Sequence, residues 1–303
     1  MQLTSQLLMI RPVDFGFNAE TAVNNTFQSS VENETAQLNA LHEFNNFVVL
    51  LRKNKLQVTV IEDTPLPHTP DSIFPNNWIS FDEDDSIILY PMFAENRRAE
   101  RKQHILDIIN NDFWVHDEID LTFYEKDNLF LEGTGSMVLD RDNKIAYASL
   151  SPRTNKKVLD EFCLLKNYTA VTFTSVDLNN IEIYHTNVMM CVADKYVVIC
   201  LDAIKDAAER MHVVAAIKET GKEIIELSAQ QINSFAGNML QVINTDKERL
   251  LIMSTQAYNA LTSLQTEKLI KHNRIVHSPL DTIEKAGGGS ARCMLAEVFL
   301  SAK

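Results

Sequence analysis

The chain has 303 residues (34.4 kDa), 45% of them hydrophobic, enough to bury a substantial core. Its 28 Lys and Arg against 41 Asp and Glu give a formal charge of −13, a field that repels nucleic acid and anionic membrane, so neither is expected as a partner. The opening "MQLTSQLLMIRPVDFGFN" carries no basic start, no long apolar region and no small-residue cleavage site, and the expected location is the cytoplasm.

In chain order, the strand candidate "QLLMIRP" precedes an apolar-periodic, charged stretch from Glu32 to Asn54 that predicts a helix, and "QVTVIE" follows as a second strand. Pro67 to Trp78, "PHTPDSIFPNNW", packs three prolines, Asp71, Asn76, Asn77 and Trp78 into twelve residues. That composition suits a rigid irregular loop offering polar groups beside an aromatic wall. The acidic "DEDD", Asp82 to Asp85, reads as a solvated hairpin turn ahead of the strand "SIILYP", and Ala94 to Asn111 as a helix.

The strands "SMVLD" and "KIAYASL", a helix from Thr154 to Lys166 and the strand "AVTFTS" come next. "VMMCVADKYVVICL", Val188 to Leu201, is broken by Asp194 and Lys195 and is too short to span a bilayer, so it reads as a β-hairpin. A helix from Ile204 to Thr220, the strands "MLQVIN" and "RLLIMS", a helix from Thr255 to Lys271 and the strand "RIVHSP" complete the set. Strands in twos and threes followed by a helix, about five times and without a low-complexity linker, predict a repeated αβ unit in one domain over residues 1–303. A doubly wound sheet or two αβ lobes would fit the same order, and no repeat is visible in the residues themselves.

Cys163, Cys191, Cys200 and Cys293 lack C-x-x-C spacing, and no H-E-x-x-H, P-loop or dinucleotide-binding pattern is present. No metal and no cofactor is therefore expected. Cys163, Cys191 and Cys200 lie in apolar runs and read as reduced core thiols.

Cys293 differs. It follows "GGGSAR", which holds three of the eight glycines in the chain. A glycine-rich turn lets backbone N–H groups approach a ligand, and a cysteine opening the next element is a candidate nucleophile; standing alone it would read as a small buried hydrophobe. A nucleophilic cysteine needs a proton shuttle and an acid to orient it. His185 interrupts a β-like run in "EIYHTNVMM", and Glu132 is stranded between an apolar run and a Gly-rich turn in "NLFLEGTGSMVLD".

Taken in order, "PDSIFPNNW", "RRAE", "LEGTGS", "LSPRTN", "YHTN" and "GGGSARCM", together with the opening "MIRP", resemble the guanidino-modifying enzymes: arginine deiminases, dimethylarginine dimethylaminohydrolases and amidinotransferases. The resemblance covers nearly the whole chain. It implies the pentein fold, a five-bladed α/β propeller of ββαβ units with pseudo-fivefold symmetry and the active site at its centre. By motif, Cys293 matches the family's nucleophile, His185 its general acid/base and Glu132 the partner of the histidine. Arg97 and Arg153 fall where dimethylarginine hydrolases hold the substrate α-carboxylate, and Asp71 where they hold its α-amino group. The implied substrate is a small-molecule α-amino acid; the sequence leaves a homo-oligomer open.

Departures from the family pattern bear on that substrate. At "FPNNW", with Asn76 and Asn77, the dimethylarginine hydrolases carry an acidic pair, and arginine deiminases have an Asp where Asn187 stands. A buried guanidinium wants carboxylates, whereas asparagine offers a neutral donor and acceptor that suit an uncharged ureido group. The motifs resemble most the citrulline utilisation hydrolases, which implies hydrolysis of L-citrulline to L-ornithine, ammonia and carbon dioxide through a covalent Cys293 intermediate. An arginine or methylarginine hydrolase, an amidinotransferase and a non-catalytic binding protein are the alternatives.

Overall fold

The computed structural model describes residues 1–29 and 33–303. Among the described residues all eleven predicted strands are present, and four more complete five three-stranded sheets. β1 (Gln6–Arg11) pairs parallel with β2 (Gln57–Glu62). β3 (Ile79–Phe81) pairs antiparallel with β4 (Ser86–Leu89), which pairs parallel with β5 (Asp117–Asp120). The same order recurs in β6 (Val138–Asp140), β7 (Ile145–Ser149) and β8 (Thr169–Phe173), and in β9 (Met190–Val192), β10 (Tyr196–Ile199) and β11 (Glu223–Glu226). It recurs again in β12 (Leu240–Ile243), β13 (Arg249–Ser254) and β14 (Arg274–Ser278). β15 (Ala296–Val298) returns from the far end of the chain and pairs antiparallel with β1, supplying the edge strand that the first sheet lacks.

Each parallel pair needs a crossover, and a helix fills each: Asn33–Lys53, Gln103–Asp112, Lys156–Lys166, Ala207–Glu219 and Ser263–Ile270. The helix start predicted at Glu32 lies outside the described residues. Two predicted helices are interrupted. Ala94 to Asn111 is a single turn, Glu95–Arg98, then Gln103–Asp112; Thr255 to Lys271 divides into Thr255–Ala260 and Ser263–Ile270, with Thr262 capping the second half. The expected hairpin at Val188 to Leu201 is β9–β10, and "DEDD" is the β3–β4 turn. One part of that turn is not solvated: Asp82 is buried, held by Arg141 at 2.9 Å and Lys166 at 3.1 Å.

Four of the five middle strands are apolar on both faces because each separates two cores, while β10 is buried on both faces within a single core. Leu7 and Met9 of β1 join a core shared with β12, β13 and β14, while Leu8 and Ile10 join one shared with β3 and β4. Ile87 and Leu89 of β4 face that second core, and Ile88 faces a third with β6 and β7. Tyr147 of β7 enters a fourth core, with β8 to β11 and, through Leu251 and Met253, β13; Leu250 and Ile252 return to the first. Period-two alternation thus links each sheet to the next and the fifth to the first. Cys163, Cys191 and Cys200 are buried and unbridged in these cores. No described helix is long and apolar enough to cross a membrane.

Candidate active site

The segments that precede the antiparallel strands bring the predicted residues together. Asn77, Ser136, Asn187, Asn238 and Cys293 each stand two or three residues ahead of β3, β6, β9, β12 and β15, and all five are buried. The nucleophile candidate is thus the fifth member of a structural series. Beside the series lies a narrow cavity whose lining includes Asp71, Asn77, Arg97, Arg153, His185 and Cys293. Glu132 stands behind His185, Asn187 lies against the Cys293 sulfur, and Asn76 turns to Thr134 Oγ1 at 3.2 Å.

The glycines before Cys293 have specific tasks. The helix Asp281–Gly287 ends on Gly288 at φ +65, the left-handed region that favours glycine, and its N–H closes on Glu284 O at 2.9 Å. A Cβ at Gly289 would stand 2.9 Å from the Phe74 ring. Cys293 N then donates to Ser290 O at 3.0 Å, and Glu284 receives Ser290 Oγ at 2.5 Å.

His185 Nε2 lies 2.8 Å from Glu132 Oε2, and both residues are buried. Burial raises the Glu132 pKa, but Arg153, the His185 hydrogen bond and Arg97 outweigh it and hold the carboxyl down at about 2. The arginine nitrogens lie 3.6 Å (Arg153 Nη1) and 3.9 Å (Arg97 Nη1) from it. Burial holds His185 down at about 4 although Glu132 pulls the other way. At neutral pH the pair is therefore a carboxylate and a neutral imidazole. The carboxylate can only accept, so Nε2 carries the proton and Nδ1 is the free base. A Cβ at Gly135 would lie 2.8 Å from that Nδ1 and against Asn77 Nδ2, so only glycine leaves room around the base.

The arginines are not equivalent. Arg97 gives its fork to Glu100, with Nε to Oε1 at 2.8 Å and Nη2 to Oε2 at 3.0 Å, while Nη1 donates to Asn77 Oδ1 at 2.8 Å. Arg153 donates through Nε to Asn24 Oδ1 at 2.9 Å and through Nη2 to Thr21 O at 2.7 Å, with its guanidinium 4.8 Å from the Tyr184 ring centroid. Asp71 Oδ2 accepts from Asn18 Nδ2 at 2.7 Å and Thr21 Oγ1 at 3.1 Å; burial pushes its pKa up. Asp71 Oδ1 and Asn77 Nδ2 are buried polar atoms with no hydrogen-bond partner among the described residues.

Sequence reasoning missed two contributors. The segment from Asn18 to Asn25 closes one wall through the Asp71 and Arg153 bonds, with Thr21 and Asn25 in the lining. Asn238 donates through Nδ2 to Cys293 Sγ at 3.2 Å, beside Asn187 Nδ2 at 3.5 Å. Its signal was available: "GNML" echoes "RCML", "TNVM" and "NNWI" ahead of four of the five antiparallel edge strands.

Five small α/β units and a buried Cys, His and Glu at one cavity define the guanidino-modifying, or pentein, class of enzymes. The chain belongs to the N,N-dimethylarginine dimethylhydrolase family, whose eukaryotic model it matches over residues 11–300; members of that family are hydrolases of carbon–nitrogen bonds other than peptide bonds. No curated protein sequence matches it. Among solved structures, it is similar to apo ArgZ, an arginine dihydrolase from the ornithine–ammonia cycle in cyanobacteria, at 19% identity and TM-score 0.75, with 97% of this chain and 40% of that chain covered. It thus spans about two-fifths of that protein's length. The N-terminal domain of ArgZ bound to product aligns at 19% identity and TM-score 0.74, covering 97% of each chain. A dimethylarginine dimethylaminohydrolase adduct with S-methyl-L-thiocitrulline aligns at 13% identity and TM-score 0.66, covering 97% of this chain and 99% of that one.

Proposed function

We propose that residues 1–303 form a single five-bladed pentein propeller that hydrolyses the ureido group of L-citrulline, with Cys293 as nucleophile, His185 as general acid/base and Glu132 as its orienting partner. The cyclic sharing of cores between the five sheets supports the propeller. The observation that carries the substrate is Asn77: its Oδ1 is occupied by Arg97, and its free Nδ2 calls for an acceptor. A ureido carbonyl oxygen is one, and a guanidinium has none. Of the carboxylates that could balance a cation, Glu100 is engaged by Arg97 and Glu132 by His185, which leaves Asp71 alone with a free oxygen.

In this reading Arg153 holds the α-carboxylate and Asp71 the α-amino group, through the Oδ1 that has no protein partner. Arg97, its fork bound to Glu100, adds positive charge and aims Asn77. His185 Nδ1 takes the Cys293 thiol proton, and the sulfur attacks the ureido carbon. The bond from that carbon to the side-chain nitrogen breaks as the imidazolium, stabilised by Glu132, returns the proton to that nitrogen. Ornithine leaves and a carbamoyl thioester remains on Cys293. Water deprotonated by His185 releases carbamate, which decomposes to ammonia and carbon dioxide.

A second reading takes arginine or a methylated arginine, favoured by the family match and by the likeness to an arginine dihydrolase. Incubation with L-citrulline, L-arginine and dimethylarginine separately, with Cys293→Ala as control, divides them. Ornithine and ammonia from citrulline alone support the ureido reading; release of citrulline or ornithine from arginine overturns it. Glycine added to the arginine reaction exposes any amidino transfer.

A further inference from the structure

We infer that Asn238 is a catalytic residue that holds the Cys293 sulfur in position for attack, an inference that rests on Cys293 being the nucleophile. Asn238 follows Gly237 at the entry to β12 and is fully buried. Its amide is saturated in one orientation only. Nδ2 donates to Cys293 Sγ at 3.2 Å and to Asn187 O at 3.1 Å, while Oδ1 accepts from the backbone N–H of Arg292 at 3.0 Å. Rotating the amide by half a turn would set an oxygen against a carbonyl oxygen and an NH2 against an N–H, so the donor is locked toward the sulfur.

Asn187 Nδ2 approaches the same sulfur at 3.5 Å from the preceding sheet. Two amide donors directed at one sulfur suit an acceptor, the role that sulfur plays while its lone pair is poised for the ureido carbon. Asn238 takes no proton in the reaction: the thiol proton goes to His185 and then to the departing nitrogen. Through Arg292 N–H the same side chain also fixes the residue adjoining the nucleophile.

The test separates a sulfur donor from a loop clamp. Asn238→Asp keeps an oxygen for Arg292 N–H but turns a carboxylate oxygen to the sulfur. The rate of Cys293 alkylation by iodoacetamide at pH 7 is measured for wild type and variant, with Cys293→Ala as blank and the melting curve as a check of folding. The expected result is a fall of about tenfold or more, the scale of one lost hydrogen bond to a charged group, with a parallel fall in kcat and little change in KM. A folded Asn238→Asp protein alkylated at the wild-type rate overturns the inference. Asn238→Ser removes the donor without adding charge and gives the same readout should the aspartate variant fail to fold. Inertness of Cys293 in the wild type would overturn the nucleophile reading and this inference with it, whereas failure of Asn238 alone leaves the wild type reactive.

Discussion

The imidazole of His185 and the carboxylate of Glu132 meet at 2.8 Å, both out of contact with solvent, and the pair rests with its negative charge on Glu132 and no positive charge on His185. A neutral histidine at rest is the form that can accept the thiol proton. The acid limb of kcat/KM should accordingly fall near pH 4, well below the ordinary histidine range. Replacing Glu132 by Gln removes the charge that raises the His185 pKa, so the limb should move further to acid while kcat drops by about 100-fold or more. A limb near pH 6.5 in the wild type would contradict the resting protonation argued here.

Asn77→Asp places a carboxylate where the ureido oxygen is expected and beside Arg97. Activity on citrulline should fall by roughly 10- to 100-fold, and the ratio of arginine to citrulline turnover should rise by at least as much. An unchanged ratio would remove Asn77 from the account of specificity.

Gly135→Ala tests the space around the base. Its methyl group would press on Asn77 Nδ2 and the His185 ring, neither of which is the free end of a long side chain. We expect about a tenfold or greater loss of kcat with the fold retained, since a displaced base forfeits its alignment. Full activity would mean that His185 reaches Cys293 from another side.

Glu284 offers a prediction in stability. Burial pushes its carboxyl up to about 7, although Ser254 and Ser290 partly oppose this. A carboxyl raised in the folded state contributes stability that is full below about pH 4.5 and is lost as pH rises through 7. Glu284→Gln keeps an acceptor for Ser290 and removes the charge, so relative to wild type it should gain about 2–3 kcal/mol between pH 4.5 and pH 8. Denaturant unfolding of both proteins at the two pH values measures this, and a pH-independent difference would show that Glu284 titrates normally.

Much of the fold was legible because each middle strand is a short apolar run, buried on both faces. The strands that escaped are edges. β5, "DEID", carries polar residues on both sides and pairs only with β4; β3 and β15 are three residues each, embedded in "FPNNWISF" and "CMLAEV". The break between Arg98 and Gln103 inside a helical pattern accompanies tertiary contacts of Arg97 with Asn77 and of Lys102 with Asp63, which local periodicity does not record. In the site, Cys293, His185 and Glu132 stood out because each interrupts its surroundings. Asn238 did not, because the echo of "GNML" with "RCML" is only a few residues long and stands out once the five sheets are superposed and it falls beside the nucleophile. Arg97 lines the cavity, and its fork also meets Glu100, three residues away, a pairing that "RRAE" contains but does not announce.

In the proposed mechanism the ureido carbon passes through Cys293. Rapid quenching of the enzyme with L-citrulline labelled at the ureido carbon, followed by peptide mapping, tests it most directly. Label is expected on the Cys293 peptide during turnover, none when the label is in the ornithine chain, and none with Cys293→Ser. Ornithine formation at the full rate with no label ever bound to Cys293 would contradict it.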